Sequence, residues 1–300
     1  MKRALILLSV AALLGTGCTS TLAEMPVPPT IDTGVDPDAW ALVPAGEFLM
    51  GLTEHETLVD HDYEIMVTDV TNSQFAAYLN EALSAGRVTI ATDQVVGHYP
   101  GDEFRGYEHE QEIGAGDWLH VPLDNDGLRL DRSGQTFAAK PWYENHPMVL
   151  VTWFGARAYC DHNGWRLPTE IEWEKAARGT DDRPFPWGDE IERNSANYYA
   201  SRDPFEKTVG DLGNTTPVGY YNGRTYDDYQ TLDSASPYGL YDMGGNVWQW
   251  TGDVYQDQHY RYLRGGSRAN YGVDLRVWTR NNAGPDYASP SVGFRCARDG

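Results

Sequence analysis

The sequence predicts an α+β fold with little regular secondary structure, and three observations support this. Three segments have the start signals and apolar spacing of helices. Short apolar stretches separated by Gly, Pro, Asn and Asp fill the last hundred residues, which is typical of short strands and loops. The 300 residues include 31 glycines, 10 tryptophans and 19 tyrosines, which favours aromatic packing between loops over a helical bundle.

Helices are predicted over residues 71–86, 152–164 and 169–179. Each begins at a threonine that can act as the N-cap and ends at a glycine. In the first and third, a Gln or Glu three residues after the threonine completes a capping box.

Strands are expected on both sides of these helices. Residues 41–51 predict a strand and a turn. Residues 87–143 are rich in Gly and Asp with little periodicity, so we expect long ordered loops there. Residues 194–300 predict short strands and loops.

The charge of the chain is strongly acidic and unevenly placed. Lys and Arg number 23 against 44 Asp and Glu, a net charge of −21, which argues against a nucleic-acid-binding protein. The last forty residues reverse the trend, with seven arginines, no lysine and three aspartates. We expect these arginines to pair with carboxylates of the same domain; the alternative is an anion-accepting surface.

The first residues read as a targeting segment. Residues 1–17 have a basic start and an eleven-residue apolar run from Ala4 to Leu14, too short to span a bilayer. They resemble a bacterial lipoprotein signal, which implies lipidation at Cys18; the alternative is an ordinary secretory signal. Residues 18–39 predict a flexible tether before a body at 40–300. We therefore expect an exported, membrane-anchored lipoprotein, periplasmic or at the cell surface.

Seven motifs occur in order along the body. They are LVPAGEFLMG at 42–51, HPMVLVTW at 146–153, GWRLPTEIEWEKAARG at 164–179, FPWGD at 185–189, YGLYDMGGNVWQW at 238–250, LRGGS at 263–267 and GFRCAR at 293–298. Any one is weak, but together and in this order they closely resemble the formylglycine-generating enzyme, or sulfatase-modifying factor, family. The resemblance implies a single domain with a variant of the C-type lectin fold.

The resemblance implies the family fold without the family's oxidase chemistry. Oxidase members use two cysteines after the GGS motif to bind copper and oxidise a substrate cysteine, because soft thiolates suit Cu(I). Asn270 and Leu275 stand at those positions here. We therefore predict no catalytic residues and a binding or accessory module.

The surface that replaces the catalytic groove is the predicted ligand site. Its aromatic and arginine side chains suit a protein, peptide or glycan ligand at the cell envelope, although the same aromatics could belong to the core. The residues assigned to it are Ser267, Arg268, Asn270, Tyr271, Trp278, Arg280 and Trp248.

The resemblance also implies a disulfide. Cys160 and Cys296 match the positions of a structural disulfide in secreted family members, and an exported protein enters an oxidising compartment. The alternative is a reactive thiol at either position.

Structural calcium is the one cofactor that the resemblance implies, since oxygen ligands in a Gly-containing loop suit Ca²⁺. The alternative is that Asp242 and Asn246 only satisfy backbone groups of their loop. The first implied site comprises the Asp242 carboxylate, the Gly245 and Val247 carbonyls and Gln249; the second comprises Asn197, the Tyr198 carbonyl and Asp211.

A second hypothesis for function is a metal-dependent oxidoreductase of the same family with ligands other than cysteine. The histidines at positions 98, 109 and 120 are the candidate ligands. A stoichiometric redox metal would distinguish this enzyme from the binding module.

Overall fold

The computed structural model describes residues 28–103, 112–206, 214–255 and 259–300. The predicted signal segment, Cys18, His109 and Asp211 lie outside the described residues. Within the described ranges, no helix is both long enough and apolar enough to cross a membrane.

The three predicted helices are confirmed. Helix α1 spans Asn72–Ser84, α2 spans Trp153–His162 and α3 spans Glu170–Arg178. Each follows a threonine whose side chain accepts a hydrogen bond from a backbone N–H three residues later, and α1 and α3 have complete capping boxes. These caps satisfy donors that the first helical turn leaves unpaired.

In the described residues nine strands precede α2. They are β1 Trp40–Val43, β2 Gly46–Met50, β3 His55–Val59, β4 Tyr63–Met66, β5 Val88–Ala91, β6 Gln94–Tyr99, β7 Gly116–Pro122, β8 Leu130–Ser133 and β9 Thr136–Ala139. Strands β5 to β9 form a three-stranded sheet and a hairpin, which corrects the prediction of loops over 87–143. Their period is hidden because they are short and carry Gly, Asp and His among the apolar residues.

The other described strands follow α3, as the sequence predicted. They are β10 Thr225–Tyr226, β11 Tyr229–Gln230, β12 Trp248–Val254, β13 Arg261–Arg264, β14 Arg280–Ala283, β15 Val292–Phe294 and β16 Ala297–Asp299. A four-stranded sheet has the order β14-β13-β12-β15, in which only β12 and β15 run parallel. A three-stranded sheet, β1-β4-β16, joins the first and last of the described strands.

The main hydrophobic core lies around α1 and α2. Phe75 of α1 packs against Tyr159 of α2 and Phe294 of β15, with ring centroids 5.7 and 6.0 Å apart. Cys160 and Cys296 form a disulfide across 136 residues in this core, which confirms the implied pairing. In the described ranges no other cysteine occurs, so no free thiol is present there.

A second core cluster surrounds α3. Trp173 of α3 is fully buried and packs with side chains of β1, β2 and β4, including Val43, Phe48 and Ile65. Apolar side chains of β12, β13 and β15 belong to the first cluster. The loop between β13 and β14 carries most of the predicted ligand-binding residues.

Candidate functional site

Helix α3 carries a buried line of charge toward β13. Glu170, Glu174 and Arg178 are four residues apart, so they share one face of the helix. Arg264 reaches them from β13: its guanidinium lies 2.9 Å from Glu170 Oε1 and 2.6 Å from Glu174 Oε2. Both Glu174 and Arg264 have no exposed side-chain surface. A buried charge of this kind is tolerated only while its ion-pair partner is present.

Two predicted ligand residues lie at the ends of this charge line. Arg280 Nε is 2.6 Å from Glu170 Oε1, and 41% of the Arg280 side chain is exposed. The Arg178 guanidinium lies over the Trp278 ring, 5.2 Å from its centroid. Trp278 and Arg280 therefore both have partners on α3.

The C-terminal arginines pair within the domain, which confirms the first of the two interpretations of their clustering. Five of the seven form ion pairs with carboxylates of the described chain, and Arg268 and Arg276 instead contact a carbonyl and an aromatic ring. The five are Arg261 with Asp102, Arg264 with Glu170 and Glu174, Arg280 with Glu170, Arg295 with Asp69, and Arg298 with Glu64.

The loop after β13 is fixed by an asparagine. Ser267 donates to Asn270 Oδ1 from its backbone N–H at 3.1 Å and from its hydroxyl at 2.6 Å. The Asn270 amide donates to Asp274 Oδ2 at 3.2 Å. Gly266 has a φ of +73°, and a Cβ there would lie 2.9 Å from a methyl carbon of Leu275, so glycine is required.

The two positions at which the resemblance places the oxidase cysteines hold structural side chains. Asn270 is the amide that fixes the loop. Leu275 is fully buried against Phe185 and Ala196. Neither side chain can bind a soft metal or carry thiol chemistry.

An exposed apolar patch lies on this loop. Tyr271 and Val273 are 62% and 54% exposed, and Tyr199, which is 47% exposed, packs against Tyr271 with ring centroids 4.8 Å apart. The backbone N–H of Tyr199 donates to the Asn270 carbonyl at 3.0 Å, which joins Tyr199 to the loop next to Tyr271. We call Tyr199, Tyr271 and Val273 the tyrosine patch. Tyr199 was not identified from the sequence.

The other predicted ligand residues support the loop. Arg268 donates to the Pro290 carbonyl at 2.7 Å, and burial lowers the pKa of its guanidinium to about 10. Ser267 and Trp248 are only 1% and 7% exposed. A ligand at the tyrosine patch would therefore contact Tyr271 directly, whereas Ser267 would act by shaping the loop. Trp248 belongs to the main core.

The first implied calcium loop fits a cation at one side chain and not at the other. Asp242 is half-buried, its Oδ2 accepts a hydrogen bond from the Gly219 N–H at 2.7 Å, and desolvation raises its pKa to about 6. Gln249 Oε1 instead accepts hydrogen bonds from Trp173 Nε1 at 2.7 Å and from Arg295 Nε at 2.9 Å. An oxygen that accepts hydrogen bonds from an indole and a guanidinium is not directed at a metal cation. The donor set of this structure therefore fits calcium at Asp242 but not at Gln249.

The second implied calcium site is only partly described. The Asn197 amide donates to the Asn214 carbonyl at 2.9 Å, the Tyr198 carbonyl accepts from Ser201, and Asp211 lies outside the described residues. Within the described ranges, His, Cys, Asp and Glu side chains form no group of three or more suited to a metal ion.

Two of the three candidate histidine ligands line the same cavity. His98 and His120 line one cavity of about 370 Å³, together with His162 and Asp161. Burial lowers the pKa of His120 to about 4, so it is neutral at pH 7.

Comparison with known proteins decides the family. Residues 29–300 match the model of the sulfatase-modifying factor enzyme 1-like domain. The chain belongs to this family. The fold is confirmed by its likeness to PvdO from Pseudomonas aeruginosa, with a TM-score of 0.54, 21% identity and coverage of 87% of this chain and 94% of that one. It is the C-type lectin-like fold of the formylglycine-generating enzyme type.

Relatives within the family have several names. A formylglycine-generating enzyme of Streptomyces coelicolor is 32% identical over 303 residues, covering 86% of this chain and 88% of that protein. An inactive C-alpha-formylglycine-generating enzyme 2 of Bos taurus is 41% identical over 162 residues, half of each chain. A serine/threonine-protein kinase pkn1 of Chlamydia caviae is 31% identical over 283 residues, which cover 85% of this chain but 37% of the kinase. The chain thus spans half or less of the last two relatives.

Proposed function

We propose that this family member is a non-oxidase binding or accessory module at the bacterial cell envelope. One observation carries the proposal: the two positions of the oxidase cysteines hold Asn270, which fixes the loop, and Leu275, which fills the core. The two cysteines of the described body are already joined to each other. The similarity to a relative named as inactive is consistent with this function.

The tyrosine patch is the proposed ligand-binding face. Aromatic side chains that are exposed on a loop held by hydrogen bonds can bind a protein, peptide or glycan with little loss of conformational entropy. Arg268 and Asn270 position this loop, and Tyr271 would contribute the largest contact area.

Two assays test the proposal. The exported protein loaded with Cu(I) and given a cysteine-containing sulfatase peptide should form no formylglycine, as followed by peptide mass spectrometry; turnover would overturn the proposal.

In a screen of glycans and envelope proteins, Tyr271→Ala should weaken binding about tenfold or more, because central aromatic contacts commonly contribute over 1.4 kcal/mol. Leu58→Ala, which changes an exposed residue of β3, is the matched control. Equal binding by both variants would exclude the tyrosine patch as the ligand-binding face.

Calcium is proposed as a structural ion at Asp242, with the Gly245 and Val247 carbonyls. Gln249 would have to release Trp173 and Arg295 to join them. Calcium should raise the melting temperature of the wild-type protein, and Asp242→Asn should abolish the rise. A melting temperature that is independent of calcium and EDTA would exclude this site.

A lipid anchor at Cys18 is the proposed route to the membrane. Labelled palmitate should be incorporated in a bacterial host, and Cys18→Ala should abolish the incorporation. Equal labelling of both proteins would exclude lipidation at this residue.

The metal-dependent oxidoreductase remains the alternative function, and its one support is that His98 and His120 line the same cavity. Iron or copper near one equivalent per purified chain would support it. An absence of both metals after growth in supplemented medium would exclude it.

A further inference from the structure

The loop after β13 meets two other segments of the chain at Pro290. Arg268 donates from Nη1 to the Pro290 carbonyl at 2.7 Å. Gly127, two residues before Arg129, lies against the same proline, because a Cβ added at Gly127 would be 3.6 Å from Pro290 Cβ. The Arg268 side chain and the segment that leads to Arg129 therefore come together at one proline.

Arg129 and Arg268 lie close together without a carboxylate partner. The Arg129 guanidinium covers the Tyr143 ring, 4.3 Å from its centroid. Desolvation, and then the positive charge of Arg129, lower the pKa of Arg268 to about 10. In the ranges that the structure describes, neither guanidinium forms an ion pair. Two like charges held in this way repel each other, and a bound anion would relieve the repulsion.

A histidine beside the two arginines supplies no negative charge. His146 is 1% exposed, and its ring centroid is 5.1 Å from that of Tyr143. Desolvation, and then the charges of Arg129 and Arg268, lower its pKa to about 3, so the ring is neutral at pH 7. The two arginines therefore remain uncompensated on this side as well.

Two buried nitrogens of this cluster have no hydrogen-bond partner among the described residues, and they are Arg268 Nε and His146 Nε2. Buried polar groups in folded proteins are nearly always paired, because an unpaired one costs free energy. The hydrogen bond from Arg268 to Pro290 is solvent-exposed, so a ligand can reach the guanidinium from the surface.

The lack of a carboxylate is unusual for this chain, which has 44 acidic and 23 basic residues. Five of its seven C-terminal arginines have carboxylate partners, and Arg268 is one of the two exceptions. Planar guanidinium donors match the oxygens of carboxylate, sulfate and phosphate groups. A close pair of arginines without a carboxylate therefore points to an anionic ligand.

We propose that Arg129 and Arg268 bind an oxyanion, which is a carboxylate, sulfate or phosphate group of a ligand. Arg268 lies three residues before Tyr271 on the same loop, so the bound anion adjoins the loop that carries the tyrosine patch. This inference deepens the proposed function, because it gives the ligand of the patch a negative charge, and it rests on that function only for the tyrosine contact.

Calorimetric titrations with sodium sulfate and sodium acetate test the site in the exported, disulfide-bonded protein, with sodium chloride keeping the ionic strength constant. The wild type should bind at least one of the two anions with a Kd of about 1 mM or lower. Arg129→Gln should weaken this binding about tenfold or more, because it removes one of two charged donors. Arg132→Gln, which changes an exposed arginine of β8, is the matched control and should bind as the wild type does.

Arg268→Lys is a second variant if Arg129→Gln fails to fold. It keeps the charge but loses the planar donors, so it should also weaken binding. No binding of either anion at about 10 mM, or equal affinity of Arg129→Gln and Arg132→Gln, would overturn the proposal. Neither result would affect the Tyr271→Ala screen, which tests the tyrosine patch independently.

Galactose 6-sulfate distinguishes a group of a larger ligand from a free ion. It should bind at least as tightly as inorganic sulfate if the site holds the acidic group of a ligand. Weaker binding of the ester would indicate a free anion and would overturn the link to the ligand of the tyrosine patch.

Discussion

Helices α1 and α2 bury apolar side chains, whereas α3 buries charge. The buried face of α1 is mainly Phe, Ala, Tyr and Leu, and that of α2 is aromatic residues, Ala, Gly and Cys160. Most of the buried side chains of α3 are charged: Glu170, Glu172, Glu174, Lys175 and Arg178.

The difference shows two ways of stabilising one domain. Around α1 and α2, stability scales with the apolar area removed from water and with the disulfide. Around α3, each buried charge is tolerated only while its partner remains. Lys175 illustrates this, because its ammonium donates to the Pro44 and Gly46 carbonyls at 2.6 and 2.9 Å. We therefore expect the α3 side to be more sensitive to the loss of one group.

The largest effect is expected from Arg264→Met. It leaves Glu170 and Glu174 buried without their shared cation, which should lower the free energy of unfolding by about 3–5 kcal/mol. Urea unfolding measures the loss. Arg298→Met is the control, because it breaks the half-exposed pair with Glu64 and should cost less than about 1 kcal/mol. Equal losses in the two variants would contradict the distinction between the two sides.

Removing the disulfide tests the apolar side. The double variant Cys160→Ala, Cys296→Ala should lose about 2–4 kcal/mol, because the unfolded chain is no longer constrained across this long loop. The same urea titration on exported protein measures it. Cys18→Ala should leave the stability unchanged. A loss in the double variant that exceeds that of Arg264→Met would reverse the predicted ranking.

Acid should selectively weaken the α3 side. Burial alone would raise the pKa of Glu172, but hydrogen bonds from Arg166, Thr169 and His61 lower it to about 2. A carboxyl whose folded pKa is depressed stabilises the protein above its unfolded pKa, and this stability is lost as the pH falls through the folded value. The wild type should lose about 3 kcal/mol more than Glu172→Gln between about pH 5 and 2. Parallel pH profiles would exclude this contribution.

The smallest loss of stability is expected from removing a helix cap, and it should be the same at α1 and at α3. Thr71→Ala and Thr169→Ala each remove a capping-box oxygen, at α1 and α3, and each should cost about 1 kcal/mol. Thermal melts of the two variants provide the comparison. A much larger loss at Thr169 would show that the cap also positions the buried charges of α3.

Local signals predicted the helices well, because threonine caps and terminal glycines act within a few residues. The order of the family motifs predicted the fold, and with it the disulfide. Strands β5 to β9 were missed, since their partners are set by tertiary pairing and their sequences show no clear alternation.

The candidate site was predicted less completely. Tyr271 and Arg268 follow the GGS motif and were assigned to the site from the sequence, but Tyr199 lies 72 residues before Tyr271 and only folding brings the two rings together. The sequence of α3 resembles that of a solvent-exposed charged helix. Its one signal of buried pairing was the excess of arginine without lysine near the chain's end.

The sheet β1-β4-β16 also constrains how the chain can be made. Strand β4 at Tyr63–Met66 receives its second partner only from Ala297–Asp299, more than two hundred residues later. During synthesis or export, one edge of β4 therefore stays open until nearly the whole domain has emerged. Such distant pairing is slow and leaves a strand edge available for misassembly. A stop codon that removed only β16 would leave that edge open permanently.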